Sequence, residues 1–357
     1  MSKVRIGFVG VGGMGQAAHL RNYVNIPECE VVALAEVRQD TAKQVAARFG
    51  ILKVYKDHMA MLAAEQLDGI VASQPFDRHA FLLPELYSGA KYLFTEKPIS
   101  VAIAAGEKLA GQARSAGCTH MVGYHKRSDP ATAYAKATIN EWKLSGKYGK
   151  LRYIRLLMPA GDWIASGFVG LINAGDQAPA MDRELPDGWR KAQLPGWDGE
   201  TSAQYVSFVN YYIHQVNLMR HLLGESYRVT YADNSGVLLA VESASGVTGT
   251  IEMSPYCTTV DWQESALVAF EKGYVDLRLP APLASNRPGS VEVYADPGEG
   301  ATPTRTIPTL PWVHAMRQQA INFVKVCRGE MNPPCEAAEA VEDLKVAAEY
   351  INLRVGK

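Results

Sequence analysis

Cysteine is scarce in this 357-residue chain: Cys29, Cys118, Cys257, Cys327 and Cys335 are scattered, odd in number and never spaced as CxxC. That pattern excludes a disulfide framework and a zinc cluster, and it fits thiols in a reducing compartment. An excess of charge is missing too, since 36 Lys and Arg stand against 37 Asp and Glu. Without a basic stripe, a nucleic-acid partner is not expected. No apolar run reaches the ~18 residues of a membrane helix. The nearest thing to a leader, Ile6–Val11 behind Lys3 and Arg5, is diluted by Gly7, Gly10, Gly12 and Gly13. These absences predict a cytoplasmic protein with no membrane partner. No His, Asp or Glu cluster has ligand spacing, so no metal is expected.

What is present reads as a globular chain of about two domains, 47% apolar and 20% charged. From Lys3 to Tyr124, short apolar strands alternate with helical stretches that stop at glycine. Strands are predicted at Val4–Val9, Val31–Ala35, Gly69–Ser73, Tyr92–Thr95 and His120–Tyr124. That alternation implies βαβ units and a parallel sheet. After a helix at Ala131–Ser145 the texture changes. Strand candidates follow one another from Leu151 to Tyr294 with short Gly, Asn and Ser turns, which predicts a large, mostly antiparallel sheet. One helix, Ser207–Leu223, interrupts it, and two more, Pro311–Cys327 and Glu336–Leu353, close the chain. The fold class expected is α/β: a Rossmann sheet over residues 1–123, then an α+β substrate and oligomerisation domain over 124–357. The closing helices could pack back on the first domain. Residues 160–201 are irregular and glycine-rich, a length of loop that usually has a function.

The first turn carries Gly10-Val11-Gly12-Gly13-Met14-Gly15 between a strand and a helix. This G-x-G-x-x-G has the context that makes it informative. Gly10 permits the turn, Gly12 leaves room for a pyrophosphate, and Gly15 lets helix and strand pack closely. The amides of the helix start, from Gly13 and Met14 onward, face the phosphates. Glu36 closes the second strand, where a carboxylate accepts from ribose hydroxyls and repels a 2′-phosphate. NAD is therefore favoured over NADP, although Arg38 could recruit that phosphate.

Thr95-Glu96-Lys97-Pro98 follows the fifth strand and, after such a fingerprint, resembles the Gfo/Idh/MocA oxidoreductases, the family of glucose–fructose oxidoreductase and inositol dehydrogenase. Asp77-Arg78-His79, Gly89-Ala90-Lys91, Gly123–Pro130 and Ile213–Leu218 resemble the same family. The resemblance implies hydride transfer between NAD and a secondary hydroxyl or ketone of a sugar, inositol or related polyol. It implies a homodimer or homotetramer, and it places Ser73, Gln74, His79, Glu96 and Lys97 beside the cofactor. Some relatives in this superfamily are glycoside hydrolases that oxidise, eliminate, add water and reduce again with bound NAD, which is the alternative activity.

Removal of a hydride from an alcohol needs a base for the hydroxyl proton, and Lys97 at a strand end suits that task. The competing reading of Lys97 is an ion pair with Glu96. The resemblance makes His214 the catalytic histidine, with Asn210 four residues before it on one helix face. The family pattern has aspartate at position 210 and often at 217, where this chain has asparagine, so proton abstraction shifts towards Lys97. Tyr124, His125 and Arg127 are candidate substrate contacts at the domain crossing. Arg127 reads either as an anion site with Lys126 and His125 or as a partner of Asp129. Trp163, Trp189 and Trp197 could stack on a sugar ring or simply anchor the long loop.

Overall fold

The computed structural model describes residues 2–178, 196–298 and 300–356. They form two compact units. The first comprises Met1–Tyr124, Gly167–Val206 and Gln319–Leu344, and the second the remaining segments.

The first unit is built on six parallel strands. In chain order they are β1 (Val4–Val9), β2 (Cys29–Ala35), β3 (Lys53–Tyr55), β4 (Gly69–Ala72), β5 (Tyr92–Glu96) and β6 (Thr119–Gly123), and in space they run β3-β2-β1-β4-β5-β6. The near-continuous apolar runs of β1, β2 and β4 match strands covered on both faces. Order reverses beside β1, between β2 and β4, so a crevice opens at the carboxyl ends there. The first helix, α1, runs as a π-helical Gly15–Leu20 into Arg21–Tyr23, and α2 (Gln39–Phe49) ends on Gly50 at φ 69°. Then come α3 (His58–Ala64), capped by Asp57, α4 (His79–Leu86) and α5 (Ile103–Ser115). β3 and α3 were not expected from the sequence; both are single short segments with too few residues to establish a period.

Phe323 and Val324, late in the chain, join the core around Ile6, Phe8, Tyr23 and Phe94. Phe323 meets Tyr23 and Phe94 edge-on at 6.3 and 5.7 Å between ring centroids. A Cβ on Gly69 would come within 3.0 Å of Cys327 Sγ, so β4 needs glycine there for this helix to approach.

The second unit opens with a 3₁₀ turn, His125–Ser128, and α6 (Pro130–Ser145). Asp129 caps α6 through the Ala131 amide at 2.8 Å, and Gly146 ends it at φ 63°. Its eight-stranded sheet runs β14-β13-β12-β11-β7-β10-β9-β8 and is antiparallel except for the β7–β10 pair. The members are β7 (Leu151–Ala160), β8 (Tyr227–Ala232), β9 (Leu238–Ser243), β10 (Thr248–Cys257), β11 (Glu264–Phe270), β12 (Gly273–Leu279), β13 (Ser290–Ala295) and a short edge, β14 (Thr304–Thr306). β11 alternates buried and half-buried residues along its length, so Ala266, Val268 and Phe270 line one face. The helix expected over Ser207–Leu223 is two helices, α7 (Gly199–Tyr211) and α8 (Ile213–Leu223), broken at Tyr212. Two more, α9 (Ala315–Cys327) and α10 (Ala337–Arg354), complete the chain.

Candidate active site

The glycine turn of the first unit has the shape its spacing requires. Gly10 sits at φ 90°, and a Cβ there would meet the Ser73 carbonyl at 2.6 Å. A Cβ on Gly15 would reach the Gly10 carbonyl at 2.7 Å, so helix and turn touch backbone to backbone. Gly12 differs: its Cβ would meet only Arg38 Nη2, at 3.9 Å. The glycine with open space is the one the pyrophosphate approaches. Ser73 continues the turn's support by donating its amide to the Val9 carbonyl, and Gln74 Nε2 reaches the same carbonyl at 3.3 Å. Met14 lies at the start of α1, half-buried.

Glu36 closes β2 with its carboxylate buried. Oε2 accepts from the Val11 amide and Arg38 Nη2, both at 3.0 Å, and Oε1 from the Arg38 amide and Nε at 3.1 and 3.0 Å. Burial pushes this carboxyl up, but the Arg38 guanidinium and the two amides outweigh it and hold it below its ordinary value. Those four donors fill the acceptor positions of a carboxylate. A ribose would therefore replace the guanidinium side of the pair, not add to it. The donor set, the open face at Gly12 and the ionised Glu36 together fit an adenine dinucleotide.

At the end of β5, the Lys97–Pro98 peptide is cis. Glu96 Oε1 lies 2.7 Å from His19 Nε2 on α1. Burial raises the Glu96 carboxyl, yet the His19 bond and the Lys97 charge leave it below its ordinary value. Glu96 is thus tied to the fingerprint helix. His79 is fully buried, its Nδ1 bonded to the Ile99 carbonyl at 3.0 Å, which places it under the Lys97-Pro98 turn. Tyr124, the last residue of this unit's first segment, is buried as well.

One segment of the first unit escaped the sequence reading. Residues 167–178 lie on the glycine turn: Gln16 Nε2 donates to the Ile172 carbonyl at 2.9 Å, and the Ile172 amide returns a bond to Gln16 Oε1 at 2.9 Å. Phe168 and Leu171 come within 3.6 and 3.7 Å of where a Gly13 Cβ would be. Glycine content marked the stretch as irregular, but no local signal shows where it docks. Trp189 lies outside the described residues; Trp197 packs against Tyr205 at 5.0 Å.

The second unit gathers a different group. The His125 and His214 rings meet edge-on at 4.8 Å. Their sequence neighbours converge on buried Glu264: Lys126 Nζ donates to Oε2 and Gln215 Nε2 to Oε1 at 2.7 Å, and Trp262 Nε1 adds a bond to Oε2 at 3.1 Å. Glu264 was not foreseen, because nothing at the start of β11 distinguishes it from a surface acid. Arg127 is buried and its Nε donates to Asn217 Oδ1 at 2.6 Å, while Asp129 accepts from the amides of Ala131 and Gly289. Of the two readings of Arg127, neither is its contact here: Lys126 bonds Glu264, and Arg127 bonds Asn217, not Asp129. Asn210 is exposed at the end of α7, and Tyr212 separates that helix from α8, which carries His214. The Trp163 carbonyl accepts from the Leu283 amide at 3.2 Å.

Residues 4–124 match the Gfo/Idh/MocA family, described as an oxidoreductase family with an NAD-binding Rossmann fold. The N-terminal domain is similar to that of the Gfo/Idh/MocA oxidoreductases. A myo-inositol 2-dehydrogenase of Thermotoga maritima is 22% identical over 249 residues, 70% of this chain and 63% of its own. A scyllo-inositol 2-dehydrogenase (NAD(+)) of Bacillus subtilis is 27% identical over 154 residues, 43% of this chain and 44% of its own. Both alignments span less than two thirds of the relative's length. Among solved structures, an NAD binding oxidoreductase from Klebsiella pneumoniae shares the fold with a TM-score of 0.73 at 18% identity, covering 99% of this chain and 98% of that one. The match takes in the glycine turn and Glu96-Lys97-Pro98. Among the described residues, no helix is long and apolar enough to cross a membrane, and no group of three metal-ligating side chains occurs.

Proposed function

We propose that the protein is an NAD-dependent dehydrogenase that acts on a secondary hydroxyl of a sugar, inositol or related polyol. The observation that carries this reading is the placement of Lys97 directly after β5, in the sheet whose switch point holds the open Gly12 face and Glu36. Bound NAD would supply the hydride acceptor. The chain's own residues do the rest. The turn at Gly10–Gly15 and the start of α1 bind the diphosphate, and Glu36 accepts from the ribose hydroxyls. Lys97 Nζ takes the proton of the reacting hydroxyl. His214 and Asn210 orient the substrate, with Tyr124, His125 and Trp163 as further contacts. Cofactor preference is NAD over NADP, since Glu36 keeps its charge at the ribose end. Inositol dehydrogenases among the relatives support a polyol.

Two features that point to the hydrolase alternative have partners of their own. Asn217 accepts from Arg127, and Trp197 lies on Tyr205. A screen of sugars, inositols and aryl glycosides, followed by nicotinamide absorbance, tests the proposal. A dehydrogenase reduces NAD in step with substrate consumed. Aglycone release with catalytic NAD and no net reduction would establish the hydrolase instead.

A further inference from the structure

We propose that Asp176 sets the cofactor choice by occupying the anion position at the start of α2 that a 2′-phosphate would otherwise take. The inference rests on the reading of the first unit as a dinucleotide cradle. Helix α2 begins three residues after Glu36, so its free amides lie next to the ribose end of that cradle. Those amides are already used. Asp176 Oδ2 accepts from the Asp40 amide at 2.9 Å, and both its oxygens lie within 3.3–3.4 Å of the Thr41 amide. The Thr41 hydroxyl donates to Oδ1 at 2.5 Å and accepts from the Ala174 amide at 3.0 Å, which fixes its direction. Amides at a helix start with a hydroxyl beside them are the donors a phosphate would seek. Here they hold a carboxylate delivered from 135 residues further along the chain.

The carboxylate does not arrive by chance of a loose loop. Gln16 and Ile172 exchange two bonds, and Arg48 donates to the Gly170 carbonyl, so residues 170–176 are fastened at both ends. The Thr41 hydroxyl, joined by the Asp40 and Thr41 amides, keeps Asp176 ionised, holding its carboxyl below the ordinary value. Arg38, a cation at this corner, is bonded to Glu36 and also feels the charge of Asp176. A 2′-phosphate would meet two carboxylates and donors already spent. The uncharged hydroxyls of NAD ask only for the acceptor that Glu36 provides.

The test is direct binding of NAD and NADP by calorimetry to wild type, Asp176→Asn and Asp176→Ser, at low and high salt. The expected result is an NADP-to-NAD affinity ratio raised about tenfold or more in both variants, with the gain shrinking at high salt as a charge effect must. A ratio unmoved in both variants, or both dinucleotides weakened together, overturns the role of Asp176 while leaving the dehydrogenase reading intact. Wild type that binds neither dinucleotide overturns the cradle itself and this inference with it.

Discussion

His19 Nε2 and Glu96 Oε1 lie 2.7 Å apart, joining the helix after the glycine turn to the residue before Lys97. The Glu96 carboxylate thus holds an imidazole while also feeling the Lys97 charge, and burial makes that arrangement costly to break. The same bond sets the end of β5 against α1, so Lys97 is carried on a strand end pinned to the cofactor turn.

Replacing Lys97 by Met should lower kcat by about 10² to 10⁴, the usual cost of losing a general base. NAD affinity should change little, because the glycine turn and Glu36 are untouched. His214→Ala should cost less. Steady-state kinetics with titrated NAD checks both. Near-normal kcat in Lys97→Met beside an inactive His214→Ala would move the base to the histidine.

The glycines should separate folding from binding. Gly12→Ala places a methyl in open space, its nearest neighbour being Arg38 Nη2 at 3.9 Å, so the variant should fold with nearly unchanged Tm. It should nonetheless lose most of its NAD affinity, since the methyl stands where the diphosphate must approach. Gly10→Ala faces the opposite problem: φ is 90° and the Ser73 carbonyl would be 2.6 Å away. That variant should lose stability before any question of binding arises. Thermal melts and NAD titrations on the pair give the result; a normal affinity in Gly12→Ala would place the diphosphate elsewhere.

Glu264 ties together the two segments that carry His125 and His214. Removing it leaves the Lys126 ammonium buried, at 4% exposure, without its charge partner. Loss of one member of a buried pair typically costs about 3–5 kcal/mol. Glu264→Ala should therefore lower stability by that order in urea unfolding, and Glu264→Gln, which keeps a hydrogen-bond acceptor, by less. If the alanine variant unfolds at the wild-type midpoint, the cluster is not a structural anchor.

Much of this was legible in the sequence, for reasons that are local. The parallel strands announce themselves as apolar runs, and glycines such as Gly50 and Gly146 stop helices where the backbone turns left-handed. The glycine turn is a contiguous motif, so Gly10, Gly12 and Gly15 could be placed between strand and helix, and Glu36 at the end of the next strand. Asp176, Glu264 and the Gln16–Ile172 pair could not, because each acts across a long separation that leaves no periodic trace. The break at Tyr212 was hidden as well: Tyr211 and Tyr212 fit a helical run, and the amide ladder resumes at once through Gln215 and Val216. Arg127 was left between an anion site and a pairing with Asp129, and its acceptor is a third residue, 90 positions along the chain. Sequence spacing gives no sign of Asn217, the buried acceptor that Arg127 finds on α8.

Acid should unfold the protein earlier than its carboxylates alone would require. Burial, helped by the charge of His79, pushes the His120 imidazole down to about 3, and its ring nitrogens meet Tyr87 Oη and Thr95 Oγ1 at 3.2 and 2.9 Å. Burial also pushes His221 down to about 3, with Arg127, Lys136 and Arg220 adding repulsion. Both rings stay neutral in the folded chain, while in the unfolded chain they take up protons near pH 6.5. Between those limits the unfolded state binds more protons, so stability rises with pH and is lost on acidification from about 6.5 downward. Asp129 works the other way: burial pushes it up to about 6, so the folded state binds the extra proton between about 3.9 and 6 and the cost of its charge is relieved there. Two groups outweigh one, and the depressed Glu36 and Glu96 reinforce the loss below about pH 4.5. Tm should fall from pH 7 to pH 5, and His120→Gln should flatten that slope without steepening it above pH 7. Tm constant from pH 7 to pH 4 would mean that the buried imidazoles do not titrate with unfolding.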